Sequence, residues 1–336
     1  MDNNQISRRD FVRDVAAAGL AVGLASVMPP SAHGAPATPI DTSKILNYNP
    51  NMEYRRQGKT ALMVSAVCLG GHSRSNDQER TEIVSRCIDA GINYIDACWD
   101  NEVKRDAKAL KGRRDKMYLA LSHGAQEVRS ENYRTSKKLL ESLESLLKDS
   151  SQEFTDLWRI TCFEPGGRHT FDTAAEIADA LEKAKKQGKA RFIGFSTHDR
   201  RWIKFMIEYF PQIDVVCFPY TTMTKAAPKD SVFEALKKCD VGAFGIKPFA
   251  AGSLFTGQKE EDYRRARLAL RYILSSNTVI PIPGLQSIAE VDNAAKAVLE
   301  RRELDIKEKA ELQIISDHAS ASLPTHYQWL RDWEYV

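Results

Sequence analysis

From about residue 47 onward the chain alternates short apolar runs with amphipathic stretches, and it does so eight times. No other feature narrows its fold so far, because strands in one parallel sheet must be joined by crossovers and a helix is the usual crossover. The apolar runs are residues 64–69, 92–96, 116–121, 154–160, 191–195, 213–218, 241–246 and 279–281. Between them lie stretches with helical spacing. Ile83, Val84, Cys87 and Ile88 share one face, and Leu139, Leu140, Leu143, Leu146 and Leu147 form a stripe predicted as a helix over 132–148. Thr173-Ala174-Ala175-Glu176 and Ser287-Ile288-Ala289-Glu290 read as helix-opening caps. Eight strand–helix units predict an α/β fold of the (β/α)8 TIM-barrel type. An open doubly wound sheet would carry a glycine fingerprint after its first strand, and Gly70-Gly71-His72-Ser73 is not one.

The N-terminus follows a different pattern. Ser7-Arg8-Arg9-Asp10-Phe11 precedes an apolar stretch over 15–28, then Pro29-Pro30 and the small-residue sites Ala32-His33-Gly34 and Ala35-Pro36-Ala37. This is the order of a twin-arginine export signal. The expected organisation is a signal over 1–37, a linker over 38–52, and a barrel with a C-terminal helix and tail over 53–336. The signal implies the twin-arginine export machinery as a partner and a periplasmic or other extracytoplasmic destination in a bacterium or archaeon. The apolar run is short for a stable membrane span. A net charge of +3 without a run of Lys or Arg argues against nucleic acid. The six cysteines include no C-x-x-C pair, which argues against a zinc ribbon or an iron–sulfur cluster.

Several motifs resemble the aldo-keto reductases, in consistent order over about residues 53 to 300. These are Tyr54-Arg55-Arg56-Gln57-Gly58-Lys59-Thr60, Gly91-Ile92-Asn93-Tyr94-Ile95-Asp96, Ala109 through Lys116, Gly188 through Ser196, and Val279-Ile280-Pro281-Ile282-Pro283-Gly284. The resemblance implies a barrel of that type, NAD or NADP as cofactor, and carbonyl reduction by an Asp, Tyr, Lys and His. Here Asp96 is kept, while Asn101, Ser122 and Thr161 stand at the Tyr, Lys and His positions. An amide has no usable acidity, a serine carries no charge and a threonine does not titrate, so proton delivery is lost from these three positions. General acid catalysis is worth roughly 100- to 10,000-fold. Asp96 is left to pair with any lysine restored at position 122.

The resemblance places the cofactor at Ser196, Thr197, Cys217, Ile246, Lys247, Gly284, Ser287 and Glu290. Thr197 and Cys217 replace an Asn and a Gln, and Glu290 would repel a 2′-phosphate. Gly284, Gln286 and Ser287 at a helix start could hold a pyrophosphate.

Other groups could take over the lost chemistry. His123 and His198 each follow a strand and are candidates for a reassigned acid. Tyr94, Tyr118 and Tyr220 could supply a phenol, and Lys247 could stabilise an oxyanion. His72, His123, His198, Cys98 and Cys217 could ring a metal, but no pair of them has helix-type ligand spacing, and no metal is expected. Asp100 and Glu102 read as solvated carboxylates. Two functions follow. One is an NAD(P)-linked oxidoreductase with a reassigned acid. The other is a non-catalytic barrel, a pseudoenzyme, that binds a nucleotide or another small-molecule ligand or acts as a partner protein.

Overall fold

The computed structural model describes residues 41–163, 167 and 169–336. The expected export signal lies outside the described residues.

An antiparallel hairpin of β1 (Tyr54–Arg56) and β2 (Met63–Ser65) precedes a seven-stranded parallel sheet. The sheet runs in sequence order through β3 (Tyr94–Ala97), β4 (Tyr118–Leu121), β5 (Thr155–Thr161), β6 (Ala190–Ser196), β7 (Val215–Pro219), β8 (Gly242–Ile246) and β9 (Val279–Ile282). The eighth stave is the stretch around Cys68–Gly70. Cys68 donates its N–H to the carbonyl of Pro281 in β9 and Gly70 to that of Pro283 just after it, while Leu69 bridges Ile95 of β3. The run expected as one strand over 64–69 therefore serves twice, its first half in the hairpin and its second in closing the barrel. The hairpin sits at the N-terminal end of β8, where Lys59 N–H bonds the Asp240 carbonyl and Arg56 pairs with the Asp240 carboxylate.

Helices cover the outside: α1 (Asp77–Asp89), α2 (Asp100–Ala109), α3 (Ser136–Asp149), α4 (Phe171–Lys186), α5 (Arg200–Tyr209), α6 (Val232–Cys239), α7 (Lys259–Ser275), α8 (Ile288–Leu299) and α9 (Ile306–Ala321). In α3 the stripe of Leu139, Leu143, Leu146 and Leu147 is buried against the strands, whereas Leu140 is only half-buried. The cap of α4 is Thr170, whose Oγ1 accepts the Thr173 N–H at 3.1 Å, one turn before the cap expected at Thr173. Glu176, expected to complete that cap, instead accepts from the Ser136 N–H at the start of α3. In the described part of the expected linker, from Asp41 on, Ile45 and Met52 are buried, and Asn47 donates to the Ile88 carbonyl.

Because strand side chains alternate, one face of each strand fills the barrel axis and the other packs on helices. Tyr94, Tyr118, Leu157, Cys217, Phe244 and Ile280 belong to the inner cluster. No helix among the described residues is long and apolar enough to cross a membrane.

Candidate functional site

The site lies at the C-terminal ends of the barrel strands, where a polar layer caps the apolar axis. Asp96 and Arg159 face each other inside it, each side chain 4% exposed. Arg159 Nε donates to Asp96 Oδ2 at 2.6 Å and Arg159 Nη2 donates to Oδ1. The fork spans the intervening strand β4 beside Ala120, the register partner of Asp96. Asp96 is thus fully engaged and is not available for a lysine at position 122.

Ser122 and Thr161 are brought together. Thr161 Oγ1 donates to Ser122 Oγ at 3.2 Å, and Ser122 Oγ donates to Cys98 Sγ at 3.4 Å. Asn101 does not join them. It is exposed on the first turn of α2.

His123 is buried, and its Nδ1 accepts the Gln126 N–H at 3.2 Å, so a neutral ring carries its proton on Nε2. Burial holds its pKa below the usual value. His198 is buried beneath Trp329, ring centroids 4.3 Å apart, with Arg129 Nη2 at 3.2 Å from its Nδ1. Lys247 is half-buried in a left-handed backbone conformation, with Nζ 4.9 Å from the centre of the Tyr327 ring. Both rings come from the C-terminal tail. The tail crosses the ends of β6, β7 and β8 and is anchored by Trp333, which stacks on Phe218 and donates to the His198 carbonyl at 2.9 Å.

The phenols proposed as replacements are unsuited to giving up a proton. Burial raises Tyr118 to about 12 and pushes Tyr94 and Tyr220 well above the ordinary value. Among the described residues no group of three or more His, Cys, Asp or Glu is arranged to hold a metal ion. His72 is exposed and accepts from Trp99 Nε1 at 3.1 Å.

The residues expected to hold a cofactor are largely committed elsewhere. Ser196 and Thr197 are buried, and Thr197 Oγ1 accepts the Asp199 N–H at 3.0 Å. Cys217 is buried in the axis, its thiol pushed up to about 12 by burial, and Ile246 is half-buried at the end of β8. Gly284 is exposed. The start of α8 is self-satisfied: Ser287 Oγ accepts the Glu290 N–H at 3.2 Å, and Glu290 Oε2 accepts the Gln286 N–H at 2.8 Å. A carboxylate at the anion-binding turn and rings over His198 and Lys247 fit a dinucleotide poorly as they stand.

Three groups escape the sequence reading. Arg159 had a signal: an arginine two residues before Thr161 faces the same way along the strand, towards the barrel axis, and a buried guanidinium demands a carboxylate. Glu127 is completely buried, accepting from Thr161 N–H at 2.6 Å and from Trp158 Nε1 at 3.3 Å; burial raises its pKa. Glu102, read as solvated, is buried and accepts the backbone N–H groups of His72 and Cys98. Neither carboxylate has a local sequence signature.

The profile of the aldo/keto reductase family matches residues 66–266. L-glyceraldehyde 3-phosphate reductase of Escherichia coli (strain K12) is 24% identical over 232 residues, 62% of this chain and 64% of that protein. The chain therefore spans less than two thirds of that relative's length. L-galactose dehydrogenase of Arabidopsis thaliana is 23% identical over 299 residues, 77% of this chain and 92% of that protein. Among solved structures, the holo form of an aldo-keto reductase from Bacillus halodurans superposes with a TM-score of 0.65 at 22% identity, covering 82% of this chain and 99% of that one. An aldo/keto reductase from Klebsiella pneumoniae in complex with NADP and acetate gives a TM-score of 0.63 at 20% identity, over 79% and 95%. These structures share the barrel fold.

Proposed function

The chain belongs to the aldo/keto reductase family, and from that footing we propose that it is a divergent member that binds a small ligand in its barrel mouth without ordinary carbonyl reduction. The observation that carries this reading is the Arg159 fork on both oxygens of Asp96. It removes the carboxylate that would tune a neighbouring acid, and the hydroxyls of Ser122 and Thr161 beside it cannot supply one. The test is turnover of simple aldehydes with NADH and NADPH, run beside calorimetry of both dinucleotides on the same protein. Absent turnover is expected; turnover well above the uncatalysed rate would end the proposal.

A second reading is an NAD(P)-linked oxidoreductase with a reassigned acid. It is favoured by His123, whose Nδ1 is held by the Gln126 N–H and which thereby keeps a proton on Nε2. The names of the two relatives, a reductase and a dehydrogenase, point the same way. Loss of any measured turnover in His123→Gln, with the fold intact, would establish it.

Export is part of the proposal. It rests on Arg8-Arg9 and the apolar stretch that follows. Fractionation of expressing cells tests it: periplasmic protein that becomes cytoplasmic in Arg8→Lys/Arg9→Lys is the expected result.

A further inference from the structure

The groups that a ligand in the barrel mouth would meet are covered. Asp96, Ser122, Thr161, Ser196 and His198 are each 7% exposed or less. A binding site there needs a cover that can move. The loop that follows β4 is a poor candidate, because Glu127 ties it down from beneath through the Thr161 N–H and Trp158 Nε1. Residues 333–336 of the tail are also fixed. Trp333 stacks on Phe218, the Lys225 N–H bonds the Glu334 carbonyl at 2.7 Å, and the Val336 N–H bonds the Lys225 carbonyl at 2.9 Å.

Residues 324–329 are held differently. Leu323 and Leu330 flank them, both buried in one cluster with Ala250 and Ala319. The Tyr327 N–H bonds the Pro324 carbonyl at 2.8 Å, Gln328 Nε2 bonds the Leu323 carbonyl at 2.6 Å, and Trp329 Nε1 bonds the His326 carbonyl at 2.9 Å. These bonds close inside the tail, so they survive if the segment lifts as a whole. To the barrel the segment offers rings: Trp329 lies over His198, and Tyr327 lies beside Lys247. The surface on which it lands is strained. Lys247, Ala250 and Ala251 have φ of 56°, 48° and 56°, a left-handed conformation that side chains disfavour. Strain of this kind gathers at clamps and switch segments.

The contact with His198 also shows what the covered place accepts. The Trp329 and His198 rings are stacked, 4.3 Å apart with 24° between their planes. A slot that holds one flat aromatic ring suits another.

We propose that residues 324–329 form an autoinhibitory flap, hinged at Leu323 and Leu330, whose Trp329 ring fills a slot for the planar aromatic ring of a ligand. When the flap lifts, the indole leaves His198 and the ligand's ring takes its place. The inference rests on the ligand-binding reading above and adds the gate and the ring chemistry it admits.

The experiment is calorimetry on the full chain, with NADH as a probe that carries flat rings and ribose 5-phosphate as a probe without one. Trp329→Ala empties the slot. Tyr327→Ala removes the other ring contact and leaves the indole in place, so it serves should the first variant fail to fold. NADH is expected to bind roughly fivefold more tightly to Trp329→Ala and about twofold more tightly to Tyr327→Ala, with ribose 5-phosphate unchanged. NADH affinity unchanged or weakened in the variants, no NADH binding by any of the proteins, or an equal gain for ribose 5-phosphate would each overturn the proposal. Tighter NADH binding accompanied by aldehyde turnover would instead sink the non-reducing reading and leave the flap standing.

Discussion

Arg159 on β5 reaches past β4 and grips both carboxylate oxygens of Asp96 on β3, inside a barrel where each side chain is 4% exposed. The small side chain of Ala120 on β4 leaves the space between them. Breaking such a pair from one side strands a buried charge. Arg159→Met is therefore expected to cost about 3–5 kcal/mol, and Asp96→Asn/Arg159→Met to recover most of it. Urea denaturation of the three proteins measures this. A double variant as unstable as the single one would mean that packing of the arginine stem, not charge, sets the cost.

The same fork decides what it takes to restore the family's chemistry. Asn101→Tyr, Ser122→Lys and Thr161→His together place the missing groups, yet a lysine at position 122 meets an Asp96 already held by Arg159. The triple variant is expected to stay silent towards aldehydes, and a fourth change, Arg159→Leu, to bring measurable reduction. Asn101 adds a second obstacle, since it is exposed at the start of α2. Equal turnover by the triple and quadruple variants would show that Arg159 does not withhold Asp96.

Dinucleotide binding is expected to be weak, and to favour NADH over NADPH. Glu290 lies in the first turn of α8 with its carboxylate on the Gln286 N–H, at the turn where phosphate would approach. Each close like-charge contact at a wet surface costs about 1 kcal/mol, so roughly fivefold discrimination is expected. Glu290→Gln should narrow it while keeping the bond to Gln286. Fluorescence titration with both nucleotides gives the ratio, and tighter NADPH binding by the unaltered protein would refute the placement.

Glu127 gives a pH signature. Burial raises its carboxyl above the usual 4.5. A carboxyl with a folded-state value above its unfolded one holds its proton better when folded. The stability it lends is present at low pH and is lost as pH rises from the unfolded value through the folded one. Relative to Glu127→Gln, the unaltered protein should lose stability across that window. Urea midpoints measured from about pH 4 to about pH 8 report it, and a constant gap would mean that Glu127 ionises as it does in water.

The barrel could be read in the sequence because its determinants are local and periodic. Alternation of strand-length apolar runs with helical stripes, and caps such as Ser287 at α8, depend on residues a few positions apart. The meeting of Ser122 with Thr161 comes from two neighbouring strands whose ends are brought side by side by the sheet. Local signals also misled. Thr173 carried the capping pattern, but Thr170 caps α4, because either threonine can bond a free N–H and the position where the chain turns decides.

The sequence alone determined that Asp96, Thr161 and Ser196 lie towards the ends of apolar strands. Only the tertiary structure decided what the remaining groups do. Arg159 and Asp96 lie 63 positions apart, and Trp329 lies far along the chain from the His198 that it covers. Glu102 was read as solvated and is buried, because the walls that exclude water from it come from other strands and loops. Which carboxylate meets which cation depends on barrel closure and strand register. These are properties of the assembled sheet, and they leave no mark on the few residues around either partner.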